Sequence, residues 1–349
     1  MTTNKQFDKT EIIIFGKGYG ESILIRVSES KYIMIDSFID NESGKPIAVW
    51  YLETIGLNVD SIIGIVCTHW DDDHVKGISQ IIKSSSKPVP IYTPLALSKK
   101  EVIDYLTYLK NEDKGSEFIE AIRYVKDKKC YFLYVVNDRS MFEKELSLVG
   151  VSLKALSPSD EQYQTFLENI IIPKAGEEKK FKQFGRNELS IVSYLECPNS
   201  ISLFAGDFEN SSTNDWTKLI DKYNYLKKCE IVKTPHHGSE NGYHDGIYNS
   251  LSLLPISIIT RFNRFDLPSD EILKKISSKS KETFVIGGKK ITDKDQTRNL
   301  TKYLNSGIKK RMSINDLRVG FIKLTKDISS QTWDIEKYGS VEKYLDQTN

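Results

Sequence analysis

The sequence predicts a layered α/β protein, and three observations carry that expectation. Apolar runs of strand length recur along the chain. Between them lie segments whose apolar residues fall at helical spacing. Three of the apolar runs end in polar residues suited to chemistry: Gly206-Asp207 after ISLFA, Pro235-His236-His237 after EIVK, and Arg261-Phe262-Asn263 after ISIIT. An α/β enzyme builds a site in this way, from loops at one edge of its sheet.

Residues 11–15 (EIIIF), 22–27 (SILIRV) and 32–35 (YIMI) read as three strands of a meander, separated by the turn-like GKGYGE and SESK. Gly16, Gly18 and Gly20 form a G-x-G-x-G, but a strand follows where a phosphate-binding loop would open a helix, so a turn is expected. Residues 46–55 suit a helix that buries Val49, Leu52 and Ile55. Residues 62–67 read as a buried strand, and Val75, Ile78, Ile81 and Ile82 then fall at helical spacing. A strand at 89–93 precedes a helical insertion at 95–145, which contains two helices and the strand CYFLYVV. Residues 151–156 read as a further strand, and residues 163–172 carry no assignable pattern. The charged, glycine-flanked stretch 174–184 reads as a mobile loop. LSIVSYLE and SISLFAGDFE make a hairpin about CPN, strands at 230–233 and 256–260 follow, and residues 316–340 supply closing strands. Residues 1–349 are expected to form a single domain.

Composition narrows the function classes. Lys and Arg total 49 against 48 Asp and Glu, a net of +1, which gives no global case for binding polyanions or membranes. Local charge is less even: residues 271–311 hold twelve Lys or Arg against four acids. That run reads as a solvated helical face or a surface toward a polyanion. Cys67, Cys130, Cys197 and Cys229 form no C-x-x-C pair and read as small buried hydrophobes in a reducing compartment. The polar amino terminus and the absence of a long apolar run lead to the expectation of a soluble cytoplasmic protein with no membrane partner.

The polar run between the strand at 62–67 and the next helix carries His69, Asp71, Asp73 and His74, the pattern H-x-D-x-D-H. Imidazoles and carboxylates on one short, anchored loop supply nitrogen and oxygen ligands for one or two divalent cations. The competing reading is an acidic loop in which Asp72 or Asp73 caps the helix. Histidine usage favours the metal. Of five histidines, His69 and His74 lie in this loop and His236, His237 and His244 lie within TPHHGSENGYH, far along the chain. Confinement to two short windows argues that they converge.

With these residues in view, the chain resembles the metallo-β-lactamase fold superfamily, and within it the hydrolase domain of the ComEC competence family and its soluble relatives. The resemblance rests on an ordered set: G-x-G-x-G-E-S-I-L-I with I-D-S (residues 16–37), T-H-W-D-D-D-H (68–74), L-S-P-S (156–159), N-E-L-S-I-V (187–192), A-G-D (205–207) and K-T-P-H-H-G-S (233–239). It implies a four-layer αββα sandwich with a metal site at one edge of the paired sheets. It also implies that His69 and Asp71 hold one metal, that Asp73 and His74 hold a second, and that Asp207 bridges them. One of His236 and His237 would complete the second position or stand beside the substrate as an acid, and Asp36 would orient a ligand histidine.

The chain departs from that pattern at Lys76, which replaces a glycine, at Asp266-Leu267-Pro268, where relatives often have glycine-histidine-proline, and at two ligand positions. Asp71 stands where the superfamily loop has histidine, which makes the site richer in oxygen and favours manganese, with zinc as the alternative. No histidine occurs between His74 and His236, and Asn187 stands near the place of the superfamily's mid-chain ligand. The implied activity is hydrolysis by hydroxide formed at the metal, on a phosphodiester of nucleic acid or a nucleotide. Asp73 would orient the water, and His237, with His244 as the alternative, would protonate the leaving oxygen. Lys233, Ser239 and Asn187 are candidates for holding the substrate. The alternatives are an amide, ester or thioester hydrolase of the same fold, or a degenerate binding or regulatory subunit.

Overall fold

Ile12, Ile13, Ile14 and Phe15 are consecutive and all fully buried, which a strand achieves only when both of its faces are covered. Successive side chains of a strand point to opposite faces. Accordingly, Ile12 and Ile14 join one apolar cluster and Ile13 and Phe15 another. The protein is described here from a computed structural model, covering residues 9–110, 116–169, 186–210, 216–288 and 319–344. The loop expected at 174–184 lies outside the described residues, as does most of the lysine-rich run at 271–311.

Sixteen strands are described: β1 (Lys9–Gly16), β2 (Glu21–Ser28), β3 (Lys31–Ile35), β4 (Ile62–Val66), β5 (Val89–Pro94), β6 (Cys130–Val135), β7 (Ser140–Met141), β8 (Ser152–Ala155), β9 (Ser193–Cys197), β10 (Ser200–Phe204), β11 (Cys229–Lys233), β12 (Ile256–Thr260), β13 (Glu282–Ile286), β14 (Gly320–Asp327), β15 (Asp334–Gly339) and β16 (Val341–Tyr344). They form two eight-stranded sheets in the orders β15-β14-β1-β2-β3-β4-β5-β6 and β16-β13-β12-β11-β10-β9-β8-β7.

Three apolar clusters account for the layering. The middle one packs the sheets face to face, with Ile12, Ile14, Ile23 and Ile25 from the first against Leu195, Phe204, Ile231 and Ile258 from the second. Outside the first sheet, Ile13, Phe15, Leu24 and Met34 meet Ile47, Leu52, Ile78 and Ile82 from helices Ile47–Thr54 and Ile78–Ser84. Outside the second, Leu203, Val232 and Ile259 meet Trp216, Leu219, Ile272 and Ile276 from helices Trp216–Lys222 and Asp270–Ser278. Helix, sheet, sheet, helix is the expected αββα sandwich.

Helices Lys100–Lys110 and Ser116–Lys126 form the connection between β5 and β6, which pair in parallel. Residues 95–145 therefore contribute a strand to the first sheet as well as two helices. The closing strands divide. β14 pairs with β1 and β15 with β14 in the first sheet, whereas β16 pairs with β13 in the second. The stretch that carried no pattern begins in helix Asp160–Asn169. The glycine-rich segment after β1 is a turn into the antiparallel β2, as the following strand predicts.

Strand direction places the site. β3 and β4 run parallel in one sheet, and β10, β11 and β12 run parallel in the other, so each group delivers its carboxyl ends to one edge. The two edges are joined there by the Ile191 amide, which donates to the Thr68 carbonyl at 2.9 Å.

Candidate metal centre

The loop after β4 delivers His69 to His74. A short helix, Asp72–Val75, follows Asp71, which sits at its N-cap position with extended backbone and makes no side-chain capping bond. Asp72 and Asp73 lie in the first turn of this helix rather than at its N-cap position. Asp207 follows Gly206, whose φ of +51° lies in the left-handed region. A Cβ on Gly206 would lie 2.5 Å from Ser190 Oγ, the atom that accepts the Asp207 amide at 3.0 Å. Only glycine lets this turn close and hold Asp207 in place.

His236 and His237 also take left-handed backbone, with φ of 42° and 53°. Non-glycine residues held there cost about 1–3 kcal/mol each, and such strain gathers at functional sites. Here the turn sends two adjacent imidazoles to different places, their ring planes 58° apart.

His237 Nε2 lies 3.4 Å from Asp73 Oδ2 and 3.7 Å from Asp207 Oδ1. His74 Nε2 lies 3.5 Å and 3.3 Å from the same two oxygens. These four groups form one set. The other Asp207 oxygen, Oδ2, lies 3.9 Å from His69 Nε2 and 3.8 Å from His236 Nε2, and His69 Nε2 is 4.0 Å from Asp71 Oδ2. Asp207 thus presents one oxygen to each of two neighbouring groups. Ligands about 2.0–2.1 Å from a tetrahedral metal stand about 3.4 Å apart; the first set has that spacing and the second is wider, at 3.8–4.0 Å.

His69 Nε2, His74 Nε2, His237 Nε2 and Asp207 Oδ1 are buried and have no hydrogen-bond partner. An unsatisfied buried polar atom costs about 1–3 kcal/mol, so four that converge mark a place built for a ligand. The proton positions agree. Asp36 accepts from the Thr68 amide at 2.8 Å and from Thr68 Oγ1 at 2.6 Å, so Thr68 Oγ1 has spent its proton and accepts from His69 Nδ1 at 3.0 Å. His74 Nδ1 donates to Asp36 Oδ2 at 2.7 Å. On the far side, Thr260 Oγ1 donates to Glu21 at 2.7 Å and accepts from His237 Nδ1 at 3.0 Å. In each ring Nδ1 carries the proton, which leaves the Nε2 lone pair facing inward, the tautomer a metal requires.

Sequence reasoning missed several of these residues. Glu21, His74, Asp207 and His237 form a group whose ligand atoms lie within 4.8 Å of one another. Glu21, however, is engaged by Lys233 at 2.5 Å and by Thr260, so it backs His237 rather than facing the cluster. Glu209 binds His236 Nδ1 at 2.6 Å and accepts from Asn187 at 2.9 Å. It stands two residues after Asp207 in AGDFE, and that proximity was the available signal. Glu21 and Thr260 gave none, because they come from opposite sheets.

Three substrate-side expectations change. Lys233 is fully buried against Glu21 and is not a group for holding phosphate. Ser239 Oγ lies 2.9 Å from His236 Nδ1 and accepts from the Gly242 amide, so it positions His236. Asn187 lies 3.4 Å from His236 Nε2, beside the cluster as its place in the sequence implied. His237 is 1% exposed with Nε2 inside the cluster, so it is not placed as an acid beside the substrate. His244 caps helix Asp245–Asn249 by accepting from the Gly246 amide and is not in the cluster.

Electrostatics follow from this packing. Burial raises the pKa of Asp207, but His74 and His237 outweigh it and hold the carboxyl well below its ordinary range. Burial likewise opposes charge on His74, yet Asp207, Asp73 and Asp36 together raise it well above an ordinary imidazole. His69 falls to about 4, chiefly through burial and then through the charge on His74. In the metal-free cluster Asp207 and Asp73 therefore favour a second proton on His74, at Nε2, and a cation would have to displace it to reach the lone pair.

Residues 15–149 match the family model for the metallo-beta-lactamase superfamily, a span that contains His69 to His74. A search of curated proteins finds no match. Among solved structures, the chain is similar to Zn(2+)-bound PqqB from Methylobacterium extorquens, at 9% identity and a TM-score of 0.45, over 79% of this chain and 97% of that one. It is also similar to a putative metallo-beta-lactamase from Thermotoga maritima, at 12% identity and a TM-score of 0.34, over 57% and 79%. Residues 15–149 are thus similar to the metallo-β-lactamase superfamily, the paired sheets are consistent with its sandwich fold, and the converging histidines and aspartates are candidate metal-binding residues.

Proposed function

We propose that the chain is a metal-dependent hydrolase that cleaves phosphodiesters of nucleic acid or nucleotides. The observation that carries this reading is the convergence of unpartnered buried Nε2 and carboxylate atoms on Asp207. Asp73, His74, His237 and Asp207 Oδ1 would hold one divalent ion, and His69, Asp71, His236 and Asp207 Oδ2 a second. His236 thereby takes the part of the absent mid-chain histidine, oriented by Glu209. Manganese or zinc held there would act as a Lewis acid and lower the pKa of water toward neutrality. Two carboxylates in the second set favour the harder ion, manganese.

The chain's own residues do the rest. Asp36, Thr68, Thr260, Glu21 and Glu209 fix the imidazoles, so little reorganisation is needed when charge develops. Asp71 and His236 are the more exposed members, with side chains 27% and 21% exposed, so substrate approaches from their side. Tyr19 is raised to about 12 by burial and by the charges on Asp73 and Asp72. It stays protonated at neutral pH and can donate a hydrogen bond to a phosphate oxygen. The resemblance to competence-type relatives supports the phosphodiester over an amide or ester, and two ions suit an in-line displacement at phosphorus.

The test is manganese- or zinc-dependent cleavage of single-stranded DNA and cyclic dinucleotides by the wild type and by Asp73→Ala/His74→Ala. Cleavage by the wild type alone is expected. Turnover of lactam, ester or thioester substrates only would replace this reading with the rival hydrolase. Less than one bound ion per chain, with no turnover of any substrate, would leave a non-catalytic binding subunit.

A further inference from the structure

The wall of the metal centre beyond His237 is aromatic. The Phe262 ring stacks on His237 with centroids 5.1 Å apart and planes 26° apart, and Phe265 stacks on Phe262 at 5.5 Å and 22°. Tyr19 meets Phe262 at 5.2 Å. The series runs from the buried cluster to the surface: His237 is 1% exposed, Phe262 8% and Phe265 66%. Other large apolar side chains, such as Leu148 and Leu253, are also exposed; Phe265 differs in that its ring is stacked in a series that ends on His237.

The turn that carries Phe265 is held firmly. Phe262 and Leu267 exchange two backbone hydrogen bonds at 3.1 Å, and the Asn263 amide donates to the Gly18 carbonyl at 2.8 Å. Asn263 Nδ2 donates to the Gly288 carbonyl at 2.9 Å. The Arg264 guanidinium lies 5.6 Å from the centre of the Phe265 ring. A rigid exposed ring, a cation beside it and a metal centre two ring contacts away are the elements that recognise a nucleotide: a base stacks, and a phosphate meets positive charge.

We propose that Phe265 is the stacking platform for a nucleobase of the substrate, with Arg264 on the same turn facing its backbone phosphate. The inference rests on the phosphodiesterase reading and adds to it that the substrate is a nucleotide or a single strand whose base is free to stack, rather than a phosphodiester without a base. Because every base has a face to stack, the platform tolerates different bases and selects for unpaired ones.

The experiment titrates metal-loaded protein with adenosine 5′-monophosphate and with ribose 5-phosphate by calorimetry, for the wild type, Phe265→Ala and Phe265→Trp. The wild type is expected to prefer the adenosine compound by about tenfold or more, in line with the stacking of one base. Phe265→Ala should bind the two equally and leave ribose 5-phosphate affinity unchanged, and Phe265→Trp should restore the preference. Equal binding of both compounds by the wild type, or a preference that survives in Phe265→Ala, would overturn the platform while leaving the phosphate reading intact. Binding of neither compound would overturn both. Because Phe265 is exposed, an unchanged melting temperature accompanies the expected result.

Discussion

Asp36 Oδ2 lies 2.7 Å from His74 Nδ1, and the same carboxylate takes the Thr68 hydroxyl and amide. One buried acid from the end of β3 therefore fixes the tautomer of His74 directly and that of His69 through Thr68. Asp36→Asn keeps the shape but offers an N–H where an acceptor is needed. Metal affinity should fall about 10–100-fold, as for other losses behind a ligand histidine. Calorimetric titration with zinc and manganese checks this; an unchanged affinity would show that the tautomers are set elsewhere.

Metal binding should strengthen as pH rises. Burial opposes charge on His74, but Asp207, Asp73 and Asp36 raise its pKa well above 6.5. Its proton stabilises the metal-free fold fully below the unfolded value of 6.5, and that contribution is lost as pH rises through the raised folded pKa. A metal needs the neutral ring, so affinity should grow by up to about tenfold per pH unit while this proton is displaced. Melting temperatures with and without zinc should therefore diverge as pH rises from 6.5 toward the raised His74 pKa. Asp207, held low, adds no pH dependence in that window.

The two ion positions should be separable. His236→Ala removes a ligand from the set around Asp207 Oδ2 and should lower the metal content from two ions toward one. Asp207→Ala, which touches both sets, should leave less than one. Elemental analysis of dialysed protein decides, and equal losses in the two variants would contradict the partition.

Lys233 and Glu21 are both almost fully buried and 2.5 Å apart. Lys233→Ala leaves Glu21 as an uncompensated buried charge and should cost about 3–5 kcal/mol in urea unfolding. A weaker KM with unchanged stability would instead return Lys233 to the substrate.

Gly206→Ala forces a Cβ to 2.5 Å from Ser190 Oγ at a left-handed φ. A loss of about 1–3 kcal/mol in denaturant unfolding is expected, together with weaker metal binding through the displaced Asp207.

Local chemistry determined what could be read in advance. Strands such as residues 12–15 and 62–66 are legible because both faces are covered, which makes them apolar throughout. The pattern from His69 to His74 was legible because its ligands share one short loop. Asp207 stood out because glycine and an acid follow an apolar run. Tertiary structure alone decided the rest. His236 and His237 are neighbours in sequence, yet left-handed backbone sends them to different sets. Glu21 and Thr260 come from opposite sheets and meet only when the sandwich closes, which also turns Lys233 from an apparent phosphate ligand into a buried counter-charge. Spacing along a chain reports what one loop or face can do, whereas partners brought together by sheet packing are separated by hundreds of residues and leave no local pattern.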